Sequence, residues 1–349
     1  VRRALGRTFA ALTAAVVAGA GVAAAEPSAD PNNAPQWGHG PLGFMFPPTV
    51  QGPIHREFAS FGPHPVAMSQ TLTPCSGLYA DILATAVGLA GGRDEHSVDC
   101  TSSFPYGPDA PVDVLYVYPA DLDRSEPAPL AVFLPGVTDN PGGYELIAKL
   151  WASRGFAVAI GYNFINSLPT DHIWVTQAAI GEAARVDSPL HDRIDFGRTI
   201  VGGHSGGAGA TTWAASIMPG LAPEIDPRLR IIGALNVATG GNGPIGAGVT
   251  VPSLDILGTL DPTVITGLMM YATIFQAPAY TATIVNGAHP AMKDGLPDNP
   301  VAGLSVAWLE HLAGGNPAAD GVFVGPDWSL ARDPAYTSVQ RNALADQVQ

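Results

Sequence analysis

Thr199-Ile200-Val201-Gly202-Gly203-His204-Ser205-Gly206-Gly207-Ala208-Gly209-Ala210-Thr211-Thr212-Trp213 is the stretch from which the rest of the chain can be ordered. Thr199-Ile200-Val201 reads as a short buried strand, and the small-residue run after Gly207 can begin a helix. Between them lies Gly203-His204-Ser205-Gly206-Gly207, the G-x-S-x-G pattern of a nucleophile elbow in the strand-turn-helix context that the motif requires. So tight a turn leaves no room for side chains beside Ser205. It also holds the serine in a strained conformation that lifts its hydroxyl above the sheet. With 41 glycines in the chain the pattern also arises by chance, and a plain strand-to-helix turn is the competing interpretation.

Partners downstream favour the elbow. A serine hydroxyl is a weak nucleophile until an imidazole takes its proton, and the imidazole needs a carboxylate to fix its tautomer and stabilise its cation. In this fold context the three follow in the order Ser, acid, His. Asp261 stands just past the strand Ser253-Leu254-Asp255-Ile256-Leu257, and His289 just past the strand Thr281 to Val285. Asp255 is the rival acid, but it lies within its strand and points into or across the sheet. Among other histidines, His204 adjoins the serine with its side chain in the wrong direction, His311 falls on a closing helix, and His172 and His191 precede the elbow. An oxyanion needs two preorganised N–H donors, one from the residue after the nucleophile and one from the loop after an earlier strand. Gly206 fits the first place. Val137, in Leu134-Pro135-Gly136-Val137-Thr138, fits the second, unless that segment is an ordinary Pro-Gly turn.

Outward from the elbow the same texture repeats. Val114 to Tyr118 and Leu130 to Leu134 are short apolar runs bounded by Pro, Asp and Gly and predict strands, and Phe156 to Ile160, Ile231 to Leu235, Leu254 to Leu257 and Thr281 to Val285 continue the alternation as further strands. Helical stretches alternate with them: Tyr144 to Arg154 with a stop at Gly155, Ile173 to Arg185, one after Ser205, one after Pro262, and a final one from Val301 to Leu312. This alternation predicts an α/β domain whose mostly parallel central sheet is covered by helices on both faces. Trp174 is expected to pack in the core more than to serve as a substrate platform. The Gly-rich segment Gly240 to Gly248 is either a movable wall of an acyl pocket or a solvent loop.

The ordered set Leu134-Pro135-Gly136, Leu150-Trp151-Ala152-Ser153-Arg154-Gly155-Phe156-Ala157-Val158, Arg193-Ile194-Asp195 and Gly203-His204-Ser205-Gly206-Gly207 resembles one branch of the α/β hydrolases. That branch holds actinobacterial polyester hydrolases (cutinase-like lipases) and, more distantly, platelet-activating-factor acetylhydrolases and chlorophyllases. The similarity runs from about Val112 to Leu312, with Asp261 and His289 at the acid and histidine positions of the pattern. It implies the α/β-hydrolase fold and ester hydrolysis. Two departures bear on substrate: the polyester hydrolases typically carry an aromatic residue where this chain has Val137 and methionine where it has Gly206. Both replacements remove side chains that clamp an aromatic acyl group, so the resemblance favours ester hydrolysis over polyester hydrolysis.

Arg2, Arg3 and Arg7 precede an uncharged, Ala- and Val-rich run from Thr8 to Ala25 that ends in Ala23-Ala24-Ala25, the pattern of a secretory signal peptide with an A-x-A cleavage site. The product is thus expected to be extracellular, and Val1 looks like an alternative start codon translated literally, which fits a bacterial gene. Residues 1–25 are thus expected to be cleaved, 26–65 to form an extended or disordered Pro/Gly-rich leader, and 66–349 to form one domain, its first strand within Val66 to Leu72. Removing the signal leaves 13 basic against 30 acidic residues, a formal charge of −17 and no integral membrane segment, so nucleic acid and anionic lipid are poor partners. Cys75 and Cys100, the only cysteines, are expected to form a disulfide worth about 3.5 kcal/mol that staples an insertion with a helical run from Leu78 to Leu89.

Together these features predict a secreted serine hydrolase acting on small-molecule, lipid or polymer esters through Ser205, His289 and Asp261, with no cofactor and no metal. An extracellular acyltransferase uses the same three residues and differs in excluding water. A non-catalytic binding protein of this fold is expected to lack one of them, and peptidase activity finds no supporting peptide-binding domain.

Overall fold

Apolar residues dominate the short runs between turns, so each predicted strand can be buried on both faces, as a parallel sheet between helices requires. The computed structural model describes residues 45, 47–74, 99–101, 111–240, 246–293 and 295–348. Its strands are β1 (Val66–Met68), β2 (Thr73–Pro74), β3 (Asp99–Cys100), β4 (Asp113–Pro119), β5 (Ala128–Leu134), β6 (Ala157–Tyr162), β7 (Ile194–His204), β8 (Ile231–Val237), β9 (Ser253–Gly258), β10 (Ala279–Ile284) and β11 (Tyr336–Arg341). The helices are α1 (Pro53–Phe58), α2 (Glu145–Ser153), α3 (Asp171–Ala184), α4 (Gly206–Ile225), α5 (Val264–Tyr271), α6 (Ala302–Ala313) and α7 (Pro317–Phe323).

Nine strands form one sheet in the order β1-β4-β6-β5-β7-β8-β9-β10-β11. From β6 to β10 all neighbours are parallel, whereas β1 with β4, β4 with β6, and β10 with β11 are antiparallel. The α/β class with a mostly parallel sheet is therefore as the sequence predicts. Strand residues alternate between two cores. Leu115, Val117, Ala131, Phe133, Val158, Ile160, Leu235 and Ile256 face α1, α2, α6 and α7. Tyr116, Leu130, Val132, Leu134, Ala157, Ala159, Val201 and Ala234 face α3 and α4. In the first core Trp308 and Phe323 meet edge to face at 4.9 Å, and the Trp308 and Trp151 indole N–H groups donate to Ala234 O and Ser305 Oγ. Both tryptophans thus bury their rings without stranding a donor.

The chain leaves β5 for β6 on one side and then returns past β5 to β7 on the other. That reversal falls at the C-terminal ends of β5 and β7, the place where open α/β sheets bind ligands.

Three expectations need correction. The leader reading fails for the last part of residues 26–65, because Pro53–Phe58 is helical, with Ile54 and Phe58 buried in the first core and the Ile54 N–H donating to Asp333 Oδ2 at 2.8 Å. The helix ending at Ala313 is not the final element, since α7 and then β11 follow and β11 pairs with β10. Only Tyr336 of β11 is buried, and without a continuous apolar run no local pattern marks it as a strand. β7 also begins five residues before Thr199. The signal segment, half of the leader, the Leu78 to Leu89 run and Cys75 lie outside the described residues. Cys100 is buried, on a strand whose Asp99 is in register with Pro74. Among the described residues no helix is long and apolar enough to cross a membrane.

Candidate active site

Ser205 follows the last residue of β7 and precedes the first of α4, with φ 55° and ψ −120°. A non-glycine residue at this φ is strained, and the surroundings over-determine it. A Cβ on Gly203 would fall 2.4 Å from the Gly207 carbonyl, and one on Gly207 would fall 2.3 Å from Leu134 O. Backbone therefore packs on backbone across the elbow, and only glycine permits it. The Ser205 N–H donates to Val237 O at 2.9 Å, and Ser205 O accepts from Gly240 N at 2.9 Å. Gly240 is thus packed against the elbow, while residues 241–245 of that segment lie outside the described residues.

β9 and β10 end beside each other, and the loops after them carry Asp261 and His289 to the same edge as Ser205. His289 Nε2 lies 2.9 Å from Ser205 Oγ, and His289 Nδ1 lies 3.0 Å from both carboxylate oxygens of Asp261. A carboxylate only accepts, so the ring carries its proton on Nδ1 and leaves Nε2 to accept from the serine hydroxyl. Burial pushes the Asp261 carboxyl up, but the hydrogen bond and charge of His289, with donation from Thr263, more than offset this and hold it below the ordinary carboxylate range. Thr263 donates to Asp261 Oδ1 through both its N–H, at 2.7 Å, and its hydroxyl, at 2.8 Å. Asp255, the rival acid, is fully buried on β9 and accepts from Thr239 Oγ1 at 3.0 Å; burial raises it to about 8.

The loop after β5 lies directly against the elbow. A Cβ on Gly136 would stand 3.3 Å from Ser205 Cβ, and one on Gly206 only 2.4 Å from Val137 Cγ2. Gly206 opens α4, where first-turn N–H groups have no intrahelical partner. Among the described residues no hydrogen bond engages the Val137 N–H. The loop after β6 braces this arrangement: Asn166 Nδ2 donates to Gly136 O at 2.8 Å and to Asp139 O at 2.7 Å, and Thr138 N donates to Phe164 O. Val137, Phe164, Ile165, Leu168 and Leu260 are exposed on the loops that bear or touch the site.

All five site residues predicted from the sequence thus meet at one edge of the sheet. Sequence reasoning missed Tyr144, Asp139 and Lys293, which sit behind His289. Tyr144 Oη is 2.7 Å from His204 Nδ1 and 2.8 Å from Asp139 Oδ2, and Lys293 Nζ donates to both Asp139 oxygens at 3.0 and 3.1 Å. Burial raises the Asp139 carboxyl, but Lys293 foremost, with His204 and Tyr144, brings it below its ordinary value. The one available signal was that Lys293 is one of only two lysines in the chain. His172 is buried against Gly202 O and Thr211, His311 pairs with Asp320, and Trp174 is half-buried against the second core. Among the described residues no group of three or more His, Cys, Asp or Glu side chains is placed to hold a metal ion. No protein-family model and no curated protein matches this chain.

Proposed function

We propose that this protein is an exported serine hydrolase of the α/β-hydrolase fold that cleaves carboxylic esters. The observation that carries the reading is the hydrogen-bonded line Ser205 Oγ, His289 Nε2, His289 Nδ1, Asp261 at the C-terminal edge of the sheet. The elbow geometry, the topological switch beside it and the resemblance in the motifs support it as well. Export rests on the basic and apolar pattern of residues 1–25 alone.

In the proposed reaction Ser205 Oγ attacks the ester carbonyl carbon while His289 Nε2 takes the hydroxyl proton. The carbonyl oxygen becomes an oxyanion facing the N–H groups of Val137 and Gly206, whose loops touch at the elbow. Collapse of the tetrahedral species breaks the bond to the alcohol oxygen, and His289 returns its proton to that oxygen. Water then attacks the acyl-serine with His289 again as base, releasing the acid and restoring Ser205. The apolar rim of Val137, Phe164, Ile165, Leu168 and Leu260 favours an apolar acyl or alcohol group over a charged one.

Hydrolysis of p-nitrophenyl butyrate and palmitate by the mature protein, beside Ser205→Ala, tests this reading. The expected result is turnover by the wild type and a loss of several orders of magnitude in the variant. No turnover, together with no labelling of Ser205 by a fluorophosphonate, overturns it in favour of a binding protein.

A further inference from the structure

The residue just before Ser205 in the elbow is a histidine whose ring is buried and whose hydrogen-bond partners are Tyr144 and His289. Its two nitrogens face different loops. His204 Nε2 is 2.8 Å from the His289 carbonyl oxygen, which only accepts, so the ring proton sits on Nε2 and Nδ1 is left as an acceptor. Burial favours this neutral form and, with the nearby charges of His289 and Lys293, lowers the ring to about 4. On the other side Nδ1 faces Tyr144 Oη at 2.7 Å, so His204 Nδ1 and Asp139 Oδ2 compete for the single hydroxyl proton. The tyrosine oxygen in turn accepts the Gly136 N–H at 2.9 Å.

We infer that His204 and Tyr144 are positioning residues: a strap of hydrogen bonds from the Gly136 N–H through Tyr144 and His204 to the His289 carbonyl fixes the oxyanion loop relative to the base. This inference rests on the acyl-transfer reading of the site. The need for such a strap follows from the sheet order. The loops carrying Gly136 and His289 leave β5 and β10, between which β7, β8 and β9 intervene, so no ladder bond links them. The strap crosses this gap beneath Ser205, and the largely buried Lys293–Asp139 pair makes a second crossing between the same two loops. The serine, the base and the oxyanion donors must hold their spacing to within a fraction of an ångström for attack to proceed. His289 itself is a third exposed and opens a single short 3-10 turn beyond β10, so its backbone is the point where that spacing is open to error.

Tyr144→Phe deletes one oxygen and keeps the ring that packs on Phe133 at 5.4 Å. His204→Leu deletes both nitrogens, whereas His204→Gln keeps an N–H near the position of Nε2. The rate at which a fluorophosphonate labels Ser205 is measured alongside kcat and KM for p-nitrophenyl butyrate. Tyr144→Phe and His204→Leu are expected to lower the labelling rate and kcat by about 10- to 100-fold with KM within about twofold, and His204→Gln to recover most of the loss. Labelling rates equal to wild type in both deletion variants overturn the inference, as does a His204→Gln no better than His204→Leu. Because labelling needs no ester, a wild type that labels without hydrolysing esters sinks the esterase reading and leaves the strap tested. If the wild type does not label either, crystal structures of wild type and Tyr144→Phe decide. A His289 Nε2 to Ser205 Oγ distance unchanged from 2.9 Å in Tyr144→Phe overturns the strap, and a lengthened one upholds it.

Discussion

Gly206→Ala is a methyl group's worth of change with an outcome that the structure sets. The new Cβ would stand 2.4 Å from Val137 Cγ2 and 3.1 Å from Ser167 Cβ. Carbon atoms rest at about 3.5 Å or more, so Val137 must retreat by about 1 Å. Val137 is β-branched and stiff at χ1, so its backbone, the proposed oxyanion donor, moves with it. Overpacking of this kind costs about 1–3 kcal/mol of stability, and a 1 Å displacement of a catalytic donor costs about 100-fold in rate. Removing the obstacle should restore the donor: with Val137→Ala the nearest remaining atom of residue 137 is Cβ, at 3.7 Å, an ordinary contact. The assay is kcat/KM for p-nitrophenyl butyrate with wild type, both single variants and the double variant. The double variant is expected to recover at least about tenfold over Gly206→Ala, a coupling of about 1.4 kcal/mol. Gly206→Ala within about threefold of wild type, or a double variant no better than Gly206→Ala, refutes the placement of Val137 against the elbow.

Asp261→Asn keeps the shape of the site but presents an amide to His289 Nδ1, which selects the wrong tautomer; kcat is expected to fall by about three to four orders of magnitude with little change in fold, checked by kinetics beside circular dichroism. Asp255 is raised from 3.8 to about 8 by burial, so it is neutral in both states at low pH, and the folded state is penalised increasingly as pH rises from 3.8 to about 8. Asp255→Asn retains an acceptor for Thr239 and never ionises, and is expected to match wild type in Tm near pH 4 and exceed it by at least about 2 °C at pH 8; parallel Tm profiles count against this. For the expected Cys75–Cys100 bridge, peptide mapping without reductant should yield the two cysteines in one linked fragment, and reduction should lower stability by about 3.5 kcal/mol.

Much of the site was legible because its parts are local. The strand, the glycines and the serine of the elbow lie within nine residues, 199–207, and their chemistry follows from sterics over that span alone. Asp261 and His289 were found because each lies just past a strand end. In a parallel sheet the strand ends share an edge, so position in the alternation stands in for position in space. The choice of Asp261 over Asp255 followed from the same logic, since a residue inside a strand faces a core and a residue past its end stands at that shared edge.

Tertiary structure alone decided what depends on elements far apart in the chain. Helix α1, in a Pro-rich segment with no periodicity to speak for it, is held by Ile54 and Phe58 entering a core that α6 completes. The antiparallel β11 owes its place to the open edge of β10 and not to an apolar pattern of its own. His204 joins Tyr144 across 60 residues and Lys293 joins Asp139 across 154, and no local spacing encodes either. A lysine or a tyrosine in a sequence carries no mark of burial, whereas a buried one must find its partner, and only the closed sheet determines which partner is within reach. The sequence by itself determined the α/β alternation and the residues proposed for the chemistry, because period and turn sterics act over a few residues. The fold decided how those residues are held in register, because that requires the loops of β5 and β10 to meet beneath Ser205.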